Sequence, residues 1–149
     1  MTDMVVREEY VTLALLDLIR EQTQTPVGEA FAPLQPGTTH NADFPYYELR
    51  TMDTNEFHGP PFVSLEADSC EEYMITTFGI RPDQVSLMRN KVIRVICGKD
   101  NTTGRYLYEL PVQDHKIMQR TLGLKGRMRQ AGTVFFTEDL YRFNVTSQI

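Results

Sequence analysis

The chain has 149 residues, of which 41% are hydrophobic and 23% charged. This balance is typical of one globular domain and excludes a disordered tail as a description of the whole. No apolar run reaches the roughly 18 residues that a membrane-spanning helix needs. The two cysteines, Cys70 and Cys97, are too few for a structural zinc site and suit a reduced cytosolic protein.

Charge is divided unevenly along the chain, whose net charge is −5. Residues 1–80 carry 3 Lys/Arg and 14 Asp/Glu, a net charge of −11, whereas residues 81–149 carry 12 and 6, a net charge of +6. Such asymmetry bears on partners and solubility rather than on the fold. The halves neutralise each other within one fold, or meet head to tail between copies, or the basic half contacts nucleic acid.

The first part of the chain predicts a helix followed by a long connection. Over residues 4–22 the apolar positions fall on two adjacent stripes, as in a helix packed on a sheet. Residues 26–45 hold four of the eight prolines and show no clean period, so they predict an extended connection with one short strand near 29–31.

Strand-forming residues follow. The alternating segment 46–54 predicts a strand, 62–66 a second short one, and 72–80 the clearest strand of the chain. A polar break at 67–71 separates the last two.

The next segment predicts the second main helix. Pro82 marks its start, Gly98 its end, and residues 83–97 its body. The helical period is carried by apolar residues at steps of three and four, namely Val85, Met88, Val92, Val95 and Ile96.

The last third predicts further strands around a basic segment. Residues 101–104 read as a loop and 105–110 as a strand. Residues 116–130 carry five basic residues, no acidic residue and two glycines that disfavour a helix. Residues 133–137 and 140–146 predict a strand pair or one kinked strand.

The order of elements predicts an α+β fold with a single domain over residues 1–149. Two main helices pack on a mixed or antiparallel β-sheet. The domain carries a proline-rich extended connection at about 26–45 and a basic loop or hairpin at about 116–131.

Motifs for enzymatic chemistry are lacking. The sequence contains no phosphate-binding glycine loop, no nucleophile elbow and no zinc-protease motif. Its three histidines, His40, His58 and His115, form no metal-ligand pattern, and no carboxylate pair stands out from the general acidity. We therefore expect no catalytic residues, no metal and no cofactor.

The basic segment supports three interpretations: a solvated face, a contact for an acidic protein surface, or a nucleic-acid contact. Without interleaved aromatic residues it is not suited to stacking bases, so a nucleic-acid contact would involve phosphates alone. The predicted contact residues are basic residues and acidic counterparts, namely Arg120, Lys125, Arg127, Arg129, Glu71 and Glu72.

The succession of elements resembles the tail terminator proteins of long-tailed bacteriophages. In those proteins an opening helix and a proline-rich connection lead to a strand that begins like Phe44-Pro45-Tyr46-Tyr47 here. A later strand, here 72–78, passes through Arg81-Pro82-Asp83 into an amphipathic helix, here 85–96. An aromatic-patterned strand, here 140–146, closes the chain. Stretch 98–132 departs from the pattern, and related neck and tail-completion proteins share the architecture.

The resemblance implies a structural, non-enzymatic virion protein of the tail or neck, assembled in the host cytoplasm. Six copies would form a ring that caps the tail tube, ends its polymerisation and joins it to the head connector. Its partners would be itself, the tail tube protein, the head–tail connector protein and DNA that passes through the lumen without sequence-specific binding. The alternative is a nucleic-acid-binding accessory module that uses residues 116–129.

The charge asymmetry fits a ring, because a cyclic assembly joins two different patches of neighbouring copies. A basic lumen would retain DNA, so we expect the acidic half to contribute more to the lumen. Reversing the charges of Arg127 and Arg129 should weaken assembly.

Overall fold

The computed structural model describes residues 8–29, 45–52 and 68–147. Two helices lie within these ranges, α1 (Glu8–Thr23) and α2 (Pro82–Cys97). Both match the predicted helices closely. Pro82 occupies the first turn of α2, where its missing N–H costs nothing, and Gly98 caps the last turn by donating its N–H to the carbonyl of Arg94 at 2.9 Å.

Six strands form one sheet in the described part of the chain. They are β1 (Val27–Glu29), β2 (Tyr46–Thr51), β3 (Asp68–Gly79), β4 (His115–Lys125), β5 (Arg129–Ala131) and β6 (Val134–Ser147). The strand order is β1-β2-β3-β6-β4, and β5 also pairs with β6. The β1–β2 pair is parallel and the other pairs are antiparallel. The predicted α+β fold, with two helices on a mixed sheet, is confirmed.

Both helices pack on the same face of the sheet, which we call the inner face. The Tyr47 hydroxyl of β2 donates to the carbonyl of Met88 in α2 at 2.8 Å. The Tyr73 hydroxyl of β3 lies 3.2 Å from that of Thr12 in α1. Since successive strand residues point to opposite faces, every second residue of the central strands enters the core. The fully buried large side chains include Tyr47, Leu49, Tyr73, Ile75, Tyr141 and Phe143 from the sheet and Leu15, Ile19, Val92 and Ile96 from the helices.

Strand β3 begins earlier than the sequence predicted. The expected polar break at 67–71 is wrong from Asp68 onward, because these residues pair with β6 in unbroken register from Asp68↔Thr146. Ser69 is buried on the inner face and donates its hydroxyl to the Glu71 carboxylate at 2.7 Å. Pairing along the whole of β6 thus outweighs the weak local strand propensity of this polar stretch.

The strand predicted at 105–110 is also wrong. Its backbone folds back on the end of α2, with Leu107 donating to the carbonyl of Gly98 at 2.9 Å and one isolated bridge between Lys99 and Tyr106. These contacts close a short loop around the Asp100 turn and leave the alternating residues outside the sheet. The loop predicted at 101–104 is confirmed.

The C-terminal strand is continuous. The segments predicted at 133–137 and 140–146 form one long strand, β6. Antiparallel to it run β4 and then β5, and a two-residue connection of Gly132 and Thr133 joins β5 to β6. Gly132 has a φ of 62°, which suits the first position of a tight hairpin turn.

Some predictions lie outside the described residues. They are the strand at 62–66, the first residues of the opening helix, and most of the connection at 26–45. The short strand expected near 29–31 begins two residues earlier, as β1.

Candidate assembly surface

The strand order converts the charge asymmetry of the sequence into an asymmetry in space. The acidic half supplies β1, β2 and β3 on one side of the sheet, and the basic half supplies β4, β5 and β6 on the other. The helices follow the same division, since α1 contains four acidic residues and one basic residue, whereas α2 contains one and three. The two outer strands lie four strand spacings apart, about 19 Å. The molecule therefore has an acidic side and a basic side.

The most basic surface lies at the end of β4 and on β5. It comprises Leu124, Lys125, Arg127 and Arg129, all of them exposed, which together we call the basic strip. Leu124 is 59% exposed, unusually open for a large apolar side chain. Within the described residues, none of the three cations forms a salt bridge. The three cations are thus exposed and outside any salt bridge in that part of the chain, and Lys125 lowers the pKa of the nearby Asp139 electrostatically, against the effect of burial.

A buried ion pair fixes the junction between β4 and β5. The Asp139 carboxylate is 1% exposed and accepts from Arg89 Nε of α2, with both oxygens at 3.2 Å. It also accepts from the backbone N–H of Gly126 at 3.0 Å, and the Arg89 guanidinium donates to the carbonyl of Gly126. Burial raises the pKa of Asp139, while Arg89 and the Gly126 N–H oppose that shift. The junction is thereby attached to α2.

Only glycine fits at this junction. A Cβ atom on Gly126 would overlap the carbonyl oxygen of Glu138. The chain passes so close to β6 here that Asp139 can reach its N–H. The sequence carries only one signal of this arrangement. Asp139 lies at an inward position of an aromatic-patterned strand, where a charge needs a buried partner.

Arg120 lies inside the molecule. It is 7% exposed, and its guanidinium donates to the carbonyls of Ile96 at 3.3 Å and Tyr108 at 2.8 Å. The ring of Tyr106 faces it at 4.3 Å, and burial lowers the pKa of Arg120. Arg120 therefore holds the 98–112 loop against β4, and among the predicted basic contacts only Lys125, Arg127 and Arg129 stand at the surface.

The two predicted acidic counterparts are engaged within the chain. Glu71 is 5% exposed on the inner face and accepts the Ser69 hydroxyl. Glu72 lies on the opposite face and accepts from Arg142 Nε at 3.0 Å. Both belong to β3, in the middle of the sheet, and the structure does not bring them together with the basic strip.

A cleft of 530 Å³ opens beside β4. It is lined by Ser69, Cys70, Lys99, Tyr106, Met118, Gln119 and Asn144. Burial and the nearby Glu72 carboxylate raise the pKa of Cys70, and burial raises the pKa of Cys97 to about 11. A raised pKa lowers the thiolate fraction and so weakens both thiols as nucleophiles.

The described ranges show neither a metal-binding cluster nor a membrane-spanning helix. Residues 8–29, 45–52 and 68–147 contain no group of three or more His, Cys, Asp or Glu side chains placed to hold a metal ion. His115 is buried, with Nδ1 2.6 Å from the carbonyl of Gln113, while His40 and His58 lie outside the described residues. Neither described helix is long and apolar enough to span a membrane.

Comparison with known proteins shows a likeness among solved structures. No family model matches the chain, and no curated protein matches it. Among solved structures, the fold is similar to that of a chain in the virion of a native gene transfer agent particle. The TM-score is 0.60 at 12% sequence identity, and the match covers 92% of each chain. At this identity the likeness establishes a shared fold over nearly the whole domain.

Proposed function

We propose that the chain is a structural virion protein of a phage-like particle, which forms a ring that caps the tail tube and joins it to the head connector. The observation that carries the proposal is the likeness, over 92% of both chains, to a chain of a gene transfer agent virion. It agrees with the resemblance of the element order to phage tail terminators. The proposal includes no catalytic role, since the likeness is to a chain of a virion particle.

The separation of charge supports ring formation. A cyclic assembly uses a heterologous interface, in which one patch of a copy meets a different patch of the next. The acidic and basic sides are two such patches, and they lie on opposite sides of the sheet. Charge complementarity steers the copies together and sets their register more than it tightens the contact.

The charge of the lumen also determines how DNA passes through the ring. A lumen lined with cations would bind the phosphates and release counterions, which retains DNA. The acidic side belongs to residues 1–80, whose net charge is −11, although Glu48 and Glu72 on its sheet face away from the helices are each paired with an arginine. We propose that the acidic side contributes more of the lumen, so that DNA passes without being held.

The functional test uses the tail tube. The purified protein is added while its cognate tail tube protein polymerises, and the tubes are imaged by negative-stain electron microscopy. We expect shorter tubes with a ring-shaped cap at one end. Tubes of unchanged length without caps would contradict the proposal.

A nucleic-acid-binding role is the competing outcome. The same protein, titrated with duplex DNA at several salt concentrations, would then bind with a steep salt dependence set by the cations of the basic strip. We expect weak binding, because the acidic side repels DNA. Tight binding that is lost when Arg127 and Arg129 are changed to Glu, together with no effect on tubes, would replace the ring by the accessory module.

A further inference from the structure

The exposed side of α1 carries a stripe with a chemistry opposite to that of the basic strip. Leu13, Asp17 and Glu21 recur every four residues, so they lie along one line of the helix surface. All three are exposed, and Leu13 is 55% exposed although it is a large apolar residue. We call these three residues the acidic stripe.

The acidic stripe and the basic strip are complementary in two respects. Each places one open leucine, Leu13 or Leu124, next to charged side chains. The charges are negative on α1 and positive at the end of β4 and on β5. Protein contacts are commonly built from an apolar anchor that a charged rim surrounds, with opposite charges facing each other.

The fold keeps the two surfaces apart within one chain. The end of α1 lies beside β1, where the Arg20 guanidinium donates to the carbonyl of Val27 at 3.0 Å. The first turn of α1 lies over the start of β4, where the Tyr10 ring stands 5.9 Å from that of His115, and the helix then runs across the sheet toward β1. Asp17 and Glu21, toward the end of α1, are therefore near the β1 side, whereas the basic strip lies on the opposite edge, about 19 Å away across four strand spacings. A contact of these carboxylates with a basic strip is then one between copies, and such a contact is heterologous.

We infer that the acidic stripe of one copy docks on the basic strip of the next, with Leu13 packed against Leu124 and with Asp17 and Glu21 facing Arg127 and Arg129. This inference rests on the proposed ring and names the interface that closes it. It assigns the acidic partner to α1 rather than to Glu71 and Glu72, whose carboxylates are already bound within the chain. The Arg89–Asp139 pair holds the basic strip in place for the contact.

A charge-swap experiment tests the inference. One variant carries Arg127→Glu and Arg129→Glu, and the other carries Asp17→Lys and Glu21→Lys. Each variant alone places like charges across every contact, so we expect self-association to weaken about a hundredfold, as measured by light scattering. Circular dichroism and thermal melts verify folding, since all four positions are exposed.

Mixing the two variants gives the decisive readout. In an alternating assembly, each Glu-substituted strip meets a Lys-substituted stripe, and each natural strip meets a natural stripe. Every contact is then complementary again, so an equimolar mixture should recover the wild-type mass.

A matched control separates the contact from a general effect of charge. Lys91→Glu with Arg105→Glu changes the net charge by the same amount as the strip variant, at two exposed positions away from the basic strip. We expect it to assemble like the wild type. Equal loss of assembly in this control would overturn the inference.

The outcomes distinguish the interface from the function. If the wild type assembles and either swap leaves assembly intact, or if mixing restores nothing, the inference is wrong while the ring stands. If the wild type remains monomeric at high concentration and low salt, the inference is wrong; if it also binds DNA through Arg127 and Arg129, the proposed function fails with it. If self-association weakens in each variant, the mixture recovers the wild-type mass and the wild type forms only open-ended chains, then the interface is right and the ring is wrong.

Discussion

At the scale of single residues, Tyr106 closes part of an open sheet edge. Strand β4 is the outer strand on its side, and an unpaired edge exposes backbone donors and acceptors. The Tyr106 hydroxyl accepts from the backbone N–H of Arg120 at 2.9 Å and lies 3.2 Å from the carbonyl of the same residue. It therefore occupies the place of a neighbouring strand, while its ring stacks on the Arg120 guanidinium.

Removing this hydroxyl should destabilise the fold. Tyr106→Phe keeps the ring but leaves the Arg120 N–H without its partner, so we expect the free energy of unfolding to fall by about 1–2 kcal/mol in urea denaturation. Tyr108→Phe is the matched control, because only the backbone carbonyl of Tyr108 contacts Arg120. A loss of the same size in both variants would contradict the edge-closing role of Tyr106.

The raised pKa of Asp139 predicts that the stability of the fold depends on pH. Burial holds this pKa above the ordinary value of about 3.9. When folding raises the pKa of a carboxyl group, its protonated form stabilises the folded state. This contribution is complete below the pKa of the unfolded chain and is lost as the pH rises through the pKa of the folded protein. The Asp139→Asn variant lacks this titration.

The stability advantage of the wild type over Asp139→Asn should therefore shrink as the pH rises from about 4 toward neutrality. Urea denaturation of both proteins across this range measures it. An advantage that grows with pH would mean that Arg89, at 3.2 Å, and the nearby Lys125 outweigh the burial of the carboxylate.

At the scale of elements, the hairpin of β4, β5 and β6 depends on Gly126. We expect Gly126→Ala to displace the β4–β5 junction from Glu138, at a cost of about 2 kcal/mol in unfolding free energy. Amide exchange of residues 127–133 should accelerate, since the junction also loses its bond to Asp139.

Gly123→Ala is the matched control for the junction. A Cβ at Gly123 would lie 3.2 Å from the guanidinium of Arg142, which is the flexible end of a side chain and can move aside. We expect a smaller loss of stability and unchanged exchange in residues 127–133. Equal effects of the two alanines would show that Gly126 has no special role.

The elements also show how far the sequence predicts the fold. Helix α2 was predictable almost to its ends, because its apolar period, its first-turn proline and its glycine cap agree. The start of β3 was not, because the polar residues from Asp68 onward gain their place from pairing with β6 rather than from their own propensity. The alternating polar and apolar residues at 105–110 predicted a strand that does not form. Backbone contacts with the end of α2 hold this segment as a loop instead.

The residues of the candidate assembly surface also differ in how far the sequence predicts their position. The exposed cations Lys125, Arg127 and Arg129 follow from the composition of the basic segment. The burial of Arg120 depends on a register shift between Ile117 and Gln119, which turns Arg120 to the inner face opposite Phe143. A bulge of this kind cannot be deduced from a period-two pattern, so its effect on the site required the structure.

At the scale of the whole molecule, the fold places an acidic side and a basic side at opposite ends of one sheet. If such a molecule associates with its own copies, the two sides meet head to tail, and the rotation between copies then decides between a closed ring and an open filament. Attraction between the two sides is screened by salt, since the Debye length falls from about 10 Å at 0.1 M to about 3 Å at 1 M. Assembly should therefore weaken as salt rises.

The native mass of the purified protein is the decisive test of a head-to-tail ring, measured by light scattering on a sizing column over a concentration series at low and high salt. A ring of six copies predicts a species near six times the 17.2 kDa of one chain, favoured by higher concentration and lower salt. A protein that remains monomeric at high concentration and low salt would contradict self-association of the two charged sides.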